Sequence, residues 1–294
     1  MGTDLKLSED AGDRTLFVMI PGNPGNEGYY AEFGRLLLEK FGDPNALFYT
    51  VSHLNHVPLP VELQIAKSPS GYERFRLEEQ VEHKLQFCRE ILPKSKRVLF
   101  FGHSIGSYMM LKIVPQLLDD GVPISRAFAL FPTVERMAGS PNGRRLFGLL
   151  RFFDRNDWMT RIVAGVLEYL PATFKSFLCR FHLSSSPECI VSSASELGYS
   201  TVIRNIIHMS NDELENVCEF NEELLKAGKK IQDYGKYAET RSGGPSDHRR
   251  TWMRARLRYP GQRNYGRRTR EDAKPVIYLN YNTEYNLGTY EVEE

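Results

Sequence analysis

Five consecutive residues, Gly102, His103, Ser104, Ile105 and Gly106, have the types and spacing for nucleophilic chemistry. A serine with glycines two positions to either side can be lifted out of a very tight turn, so that its Oγ faces a carbonyl carbon. Gly102 and Gly106 remove the side chains that would collide where the chain before the serine nearly touches the chain after it. The N–H of Ile105, opening the next helix, would lie where partial positive charge can hold a developing oxyanion. By composition, G-x-S-x-G arises by chance about once in ten chains of this length. Here the apolar run Val98 to Phe101 precedes it and Tyr108 to Leu111 continue an apolar-periodic run after it. That is the strand, turn and helix of a nucleophile elbow.

Such a serine needs a second oxyanion donor, a base and an acid that orients the base. The donor loop of an elbow fold follows an early strand, and Pro21-Gly22-Asn23-Pro24-Gly25 follows the apolar run Thr15 to Ile20. Pro24 has no N–H, so Gly22 or Asn23 must donate. His248 is the one histidine in the C-terminal segment and the candidate base, with His53 as the second. The acid is Glu135, just after an apolar run ending at Phe131, or Glu239. His53 and His56 lie three apart with no carboxylate or cysteine at ligand spacing, so a loop at the mouth of the site is expected rather than a metal pair. Cys88, Cys179, Cys189 and Cys218 show neither C-x-x-C pairing nor ligand spacing, and no metal or other cofactor is expected.

The elements that must carry these residues read as alternating strands and helices. Apolar runs at 15–20, 46–51, 97–101 and 127–131 are expected to be parallel strands, with helices at 29–40 and 77–92 and another after the elbow. His83 falls off the apolar face of the 77–92 helix, as a solvated or capping residue. The architecture expected is α/β, a doubly wound, mostly parallel sheet. Between Arg144 and Leu183 large apolar residues alternate with Arg144, Arg145, Arg151, Arg155 and Arg161. This segment, within a 144–190 insertion, reads as a helical cap over the site, as an interfacial surface dipping into lipid, or as an ordinary buried helix pair. A further helix is expected at 211–227, and Val276 to Leu279 could form a strand.

The totals place bounds on partners. The 294 residues are 41% hydrophobic, enough for one large α/β domain, expected over 1–240. The net charge of +1 hides the run Arg241 to Arg270, with ten Arg, no Lys and Asp247 as its one acid. A run with so few aliphatics cannot bury a core, so 241–294 is expected to be a disordered tail. Without the fold context expected of a nucleic-acid reader, those arginines do not point to nucleic acid. The polar N-terminus lacks an apolar secretory core, and no stretch reaches the 18 or so uncharged apolar residues of a membrane span.

Several motifs occur together: P-G-N-P-G at 21–25, S-H at 52–53, E-H-K-L at 82–85, G-H-S-I-G-S-Y at 102–108, and F-P-T-V-E-R-M with S-P-N-G across 131–143. Over roughly Leu16 to Gly235 the chain resembles the lipid droplet-associated hydrolase family. The resemblance implies an α/β-hydrolase fold with Ser104 as nucleophile and the Gly22–Asn23 loop as oxyanion region. It also implies lipid esters, sterol esters or acylglycerols, as substrates, and the lipid droplet monolayer, met through the apolar middle segment, as partner. The location implied is the droplet surface, with the endoplasmic reticulum second, on the cytosolic side. The oligomeric state is left open. The family carries its Asp shortly after a Y-G and its His in an H-A context, but here Ala238 and Glu239 follow Tyr234-Gly235 and no later H-A exists. The tail therefore reads as divergent or frame-altered, and the family's N-terminal hairpin as absent or shortened. The alternative to catalysis is an impaired hydrolase-fold protein acting as a lipid-surface factor.

Overall fold

The computed structural model describes residues 14–58, 74–135, 137–218 and 226, and the backbone of 276–277, 280–282, 287–290 and 292–293. Four parallel strands form the centre: β1 (Thr15–Ile20), β2 (Leu47–Thr50), β3 (Arg97–His103) and β4 (Ile124–Leu130), ordered β2-β1-β3-β4. β1 is buried along its whole length, as a strand covered on both faces must be. Its alternate residues feed two cores. Leu16, Val18 and Ile20 pack with α2 (Leu77–Glu90) and α3 (Ile105–Asp119). Phe17 and Met19 pack with Phe33, Leu37 and Leu38 of α1 (Ala31–Phe41) on the other face. Helices on both faces of a parallel sheet make the fold α/β and doubly wound, as expected.

Beyond β4, Ser140 accepts a hydrogen bond from Gly143 N–H and caps α4 (Pro141–Arg155). The S-P-N-G stretch is thus a helix start. It is followed by α5 (Asp157–Glu168), α6 (Ala172–His182), α7 (Glu188–Glu196) and α8 (Ser200–Asn216). The last of these corrects the expected 211–227 helix. Val202, Met209 and Leu214 lie on its buried face, but Arg204, Asn205, Asn211 and Glu213 are buried there too. Those polar residues broke up the apolar period that would have revealed the start at Ser200.

The reading of 144–183 as an ordinary buried helix pair does not hold. Tyr169, Phe181, Val166, Trp158, Phe177 and Ile162 are each at least 60% exposed. Arg144, Arg145, Arg151, Arg155 and Arg161 are exposed among them. Among the described residues no single helix is long and apolar enough to cross a membrane; Asp157–Glu168 and Thr173–His182 together match in apolar length but bend by 96°. Near the C-terminus β6 (Asn280–Asn282) pairs antiparallel with β7 (Leu287–Tyr290), which pairs antiparallel with β4, while β5 (Val276–Ile277) pairs with β8 (Val292–Glu293). The run 241–270 lies outside the described residues.

Candidate active site

Ser104 sits between β3 and α3 with φ 51° and ψ −121°, a backbone region unfavourable for any residue with a Cβ. Its neighbours impose that conformation. Ser104 N–H donates to Leu130 O at 2.9 Å, and Ser104 O accepts from Ser107 N–H and Thr133 N–H at 3.0 and 3.1 Å. Ser107 Oγ donates to Gly102 O at 2.7 Å, drawing α3 back against the strand. A Cβ on Gly102 would lie 2.6 Å from Ser107 Cα, and one on Gly106 would run into Ile20 O and Pro21 O. The two glycines therefore allow the crossing that the turn requires.

The loop after β1 lies directly against the serine: a Cβ on Gly22 would be 2.9 Å from His103 O and 3.0 Å from Ser104 Cβ. Gly22 and Asn23 are not equivalent as donors. Gly22 N–H donates to Tyr30 Oη at 2.8 Å. Tyr30 Oη also lies 2.8 Å from His103 Nδ1, a hydrogen bond whose donor is set by the imidazole tautomer. Burial pushes the Tyr30 phenol up to about 12 and lowers His103, in keeping with a neutral tyrosine beside a neutral imidazole. Gly22 is thereby committed. Among the described residues the Asn23 main-chain N–H has no acceptor, which leaves it, with Ile105 N–H at the start of α3, as a candidate donor.

Among the described residues the Asn23 side chain is held from one side, by α8. Its Nδ2 lies 2.8 Å from Ser210 Oγ, 3.2 Å from Glu213 Oε1 and 3.4 Å from Ile206 O, all on α8. Asn23 Oδ1 is buried without a partner among the described residues. Glu213 is 2% exposed, and burial first, with the Asp212 charge, raises its carboxyl to about 8 against the opposing Asn23 hydrogen bond.

The base and acid are not brought to Ser104 among the described residues. Ser104 Oγ is 3.1 Å from Thr133 Oγ1, and no described histidine bonds to it. Glu135 is exposed and has no hydrogen bond or ion pair with another described residue. Glu239 and His248 lie outside the described residues. His53 and His56 are not at the mouth of the site but wholly buried beneath the loop. His56 Nδ1–H donates to Pro24 O at 2.7 Å, and the His53 ring lies against Gly25, where a Cβ would collide with it. With Lys84, whose Nζ donates to Ser52 O at 3.0 Å, they form a buried basic group, and burial lowers all three. His83 is not simply solvated, since its Nδ1 is 3.1 Å from Lys84 Nζ. Among the described residues no three His, Cys, Asp or Glu side chains are gathered as metal ligands.

Sequence reasoning missed Tyr30, Thr133, Ser210 and Glu213. Tyr30 stood near a recognised motif and Thr133 within one, whereas α8 meets the loop only through the fold. It also missed Phe131, exposed with φ 46°, its ring edge-on to His103.

Residues 13–239 match a family profile described as Lipid-droplet associated hydrolase. A Homo sapiens lipid droplet-associated hydrolase is 38% identical over 178 residues, which cover 57% of this chain and 52% of that one. The proteins of that name from Gallus gallus and Pongo abelii are each 32% identical, over 72% of this chain and 66% of theirs. The chain thus covers less than two thirds of the length of each of these relatives.

Proposed function

The chain belongs to the Lipid-droplet associated hydrolase family, and from that premise we propose that it is a serine hydrolase cleaving carboxylic esters of lipids, such as sterol esters or acylglycerols, at the droplet surface. The observation that carries the reading is Ser104 held at φ 51° beside two candidate N–H donors, Ile105 and Asn23. Strain of that kind persists only where the surroundings over-determine it, and it clusters at reactive sites. Ser104 Oγ attacks the ester carbonyl and loses its proton to a histidine, for which His248 is our candidate, oriented by Glu239 or Glu135. The carbonyl oxygen takes the negative charge and rests on the N–H groups of Ile105 and Asn23. Collapse expels the alcohol with the proton returned by the histidine, and water then cleaves the acyl-serine by the same steps. The exposed apolar face of α4 to α6, interspersed with arginines, suits contact with a lipid monolayer, its arginines at headgroup level.

A second reading is a lipid-surface protein that keeps the fold without turnover. It is favoured by the hydroxyl–hydroxyl pair of Ser104 and Thr133, in which no described base takes part. Intact mass after exposure to a fluorophosphonate probe separates the two. One adduct on the wild type that vanishes in Ser104→Ala supports the hydrolase. A folded wild type that stays unlabelled leaves the second reading.

A further inference from the structure

We propose that Ser210 and Glu213 of α8 are positioning residues for the oxyanion hole: by holding the Asn23 side chain they aim the Asn23 main-chain N–H at the oxygen that becomes negative. The inference rests on the serine hydrolase reading and extends it to a helix that no elbow motif includes. Every hydrogen bond of the Asn23 side chain among the described residues goes to α8, to Ser210 Oγ, Glu213 Oε1 and Ile206 O. Its buried Oδ1 has no partner among the described residues, so none of them substitutes for these bonds on the opposite side. Gly22 N–H is already bound to Tyr30, which leaves Asn23 as the donor whose aim matters.

A carboxyl beside an oxyanion hole is useful only when neutral, because a carboxylate there would repel the charge forming in the transition state. Glu213 is surrounded accordingly. The groups acting on its carboxyl are the uncharged Asn23 amide from the loop and the Asp212 carboxylate on its own helix. The neighbouring charged and titratable groups are engaged elsewhere: Arg204 of α8 with Asp157 of α5, His208 of α8 and Arg74 before α2 with Asp154 of α4, and Arg151 of α4 with Glu215 of α8. With its carboxyl raised to about 8, Glu213 stays protonated at neutral pH, and its Oε1 accepts the Asn23 bond without bringing a charge.

The test uses the full chain with Glu213→Leu, Glu213→Gln, Ser210→Ala and Ser104→Ala, and follows turnover of a soluble p-nitrophenyl ester against pH. An oxyanion donor acts on the transition state more than on bound ester, so kcat and not KM carries the effect. Glu213→Leu is expected to lower kcat about tenfold or more with KM nearly unchanged. Glu213→Gln keeps an acceptor for Asn23 and should match the wild type at neutral pH. It should also lack the fall in kcat that the wild type shows as pH rises through about 8. If Glu213→Leu fails to fold, Ser210→Ala, expected to lower kcat severalfold, takes its place. Wild-type kcat in the variant read, or an alkaline fall that persists in Glu213→Gln, overturns the positioning role. Wild-type turnover no greater than that of Ser104→Ala overturns the hydrolase reading instead, and this inference with it.

Discussion

Ser104 has a conformation that its own chemistry does not favour. At φ 51° and ψ −121° its Cβ is crowded, and a backbone held so costs about 1–3 kcal/mol. Ser104→Ala and Ser104→Gly both remove the Oγ bond to Thr133, but only glycine relieves the crowding. Ser104→Gly should therefore melt higher than Ser104→Ala, by roughly 2–4 °C for each kcal/mol recovered. Equal melting temperatures by calorimetry would mean that the turn stores no such strain. Tyr30 shows a second effect of one residue. By accepting a hydrogen bond from Gly22 N–H while also bonding His103 Nδ1, its Oη engages one of the two candidate donors and ties the loop to the neighbouring imidazole.

Among the elements, α5 and α6 depart most from what a buried helix would show. Trp158, Phe177 and Phe181 are 63%, 62% and 74% exposed. A large apolar side chain gains about 1.5–3 kcal/mol when fully buried, so moving these three into lipid would favour association by several kcal/mol. Replacing all three by Asp should abolish flotation with phospholipid-coated triacylglycerol droplets and leave the circular dichroism spectrum unchanged. Flotation equal to that of the wild type would remove this face as the lipid contact. α8 works in the opposite direction, toward the interior. Its Arg204 forms two 2.7 Å hydrogen bonds to Asp157 at the start of α5, and its Ser210 and Glu213 reach Asn23 in the loop after β1. One helix thus contacts both the apolar helices and the candidate site.

At the scale of the molecule, the elbow and the loop come from the first half of the chain, while the candidate base lies far beyond α8. If His248 takes the proton of Ser104, His248→Ala in the full chain should abolish fluorophosphonate labelling, with melting temperature and droplet flotation unchanged. Labelling at the wild-type rate would dismiss His248. The elbow and strands β1 to β4 were legible in the sequence because their determinants are local: glycines at fixed offsets, apolar runs of strand length, and a proline that stops β1. The family was legible because several short motifs stood in order along the chain. Only the tertiary structure distinguishes the N–H groups of Gly22 and Asn23, since the hydroxyl that engages Gly22 arrives from Tyr30 on a different turn. It alone placed His53 and His56 under the loop instead of at its mouth, and set Glu213 of α8 against Asn23, 190 residues away in sequence. Strand and helix patterns repeat over a few residues and can be read along a chain, whereas burial and hydrogen bonding between distant segments exist only once the sheet has brought those segments together.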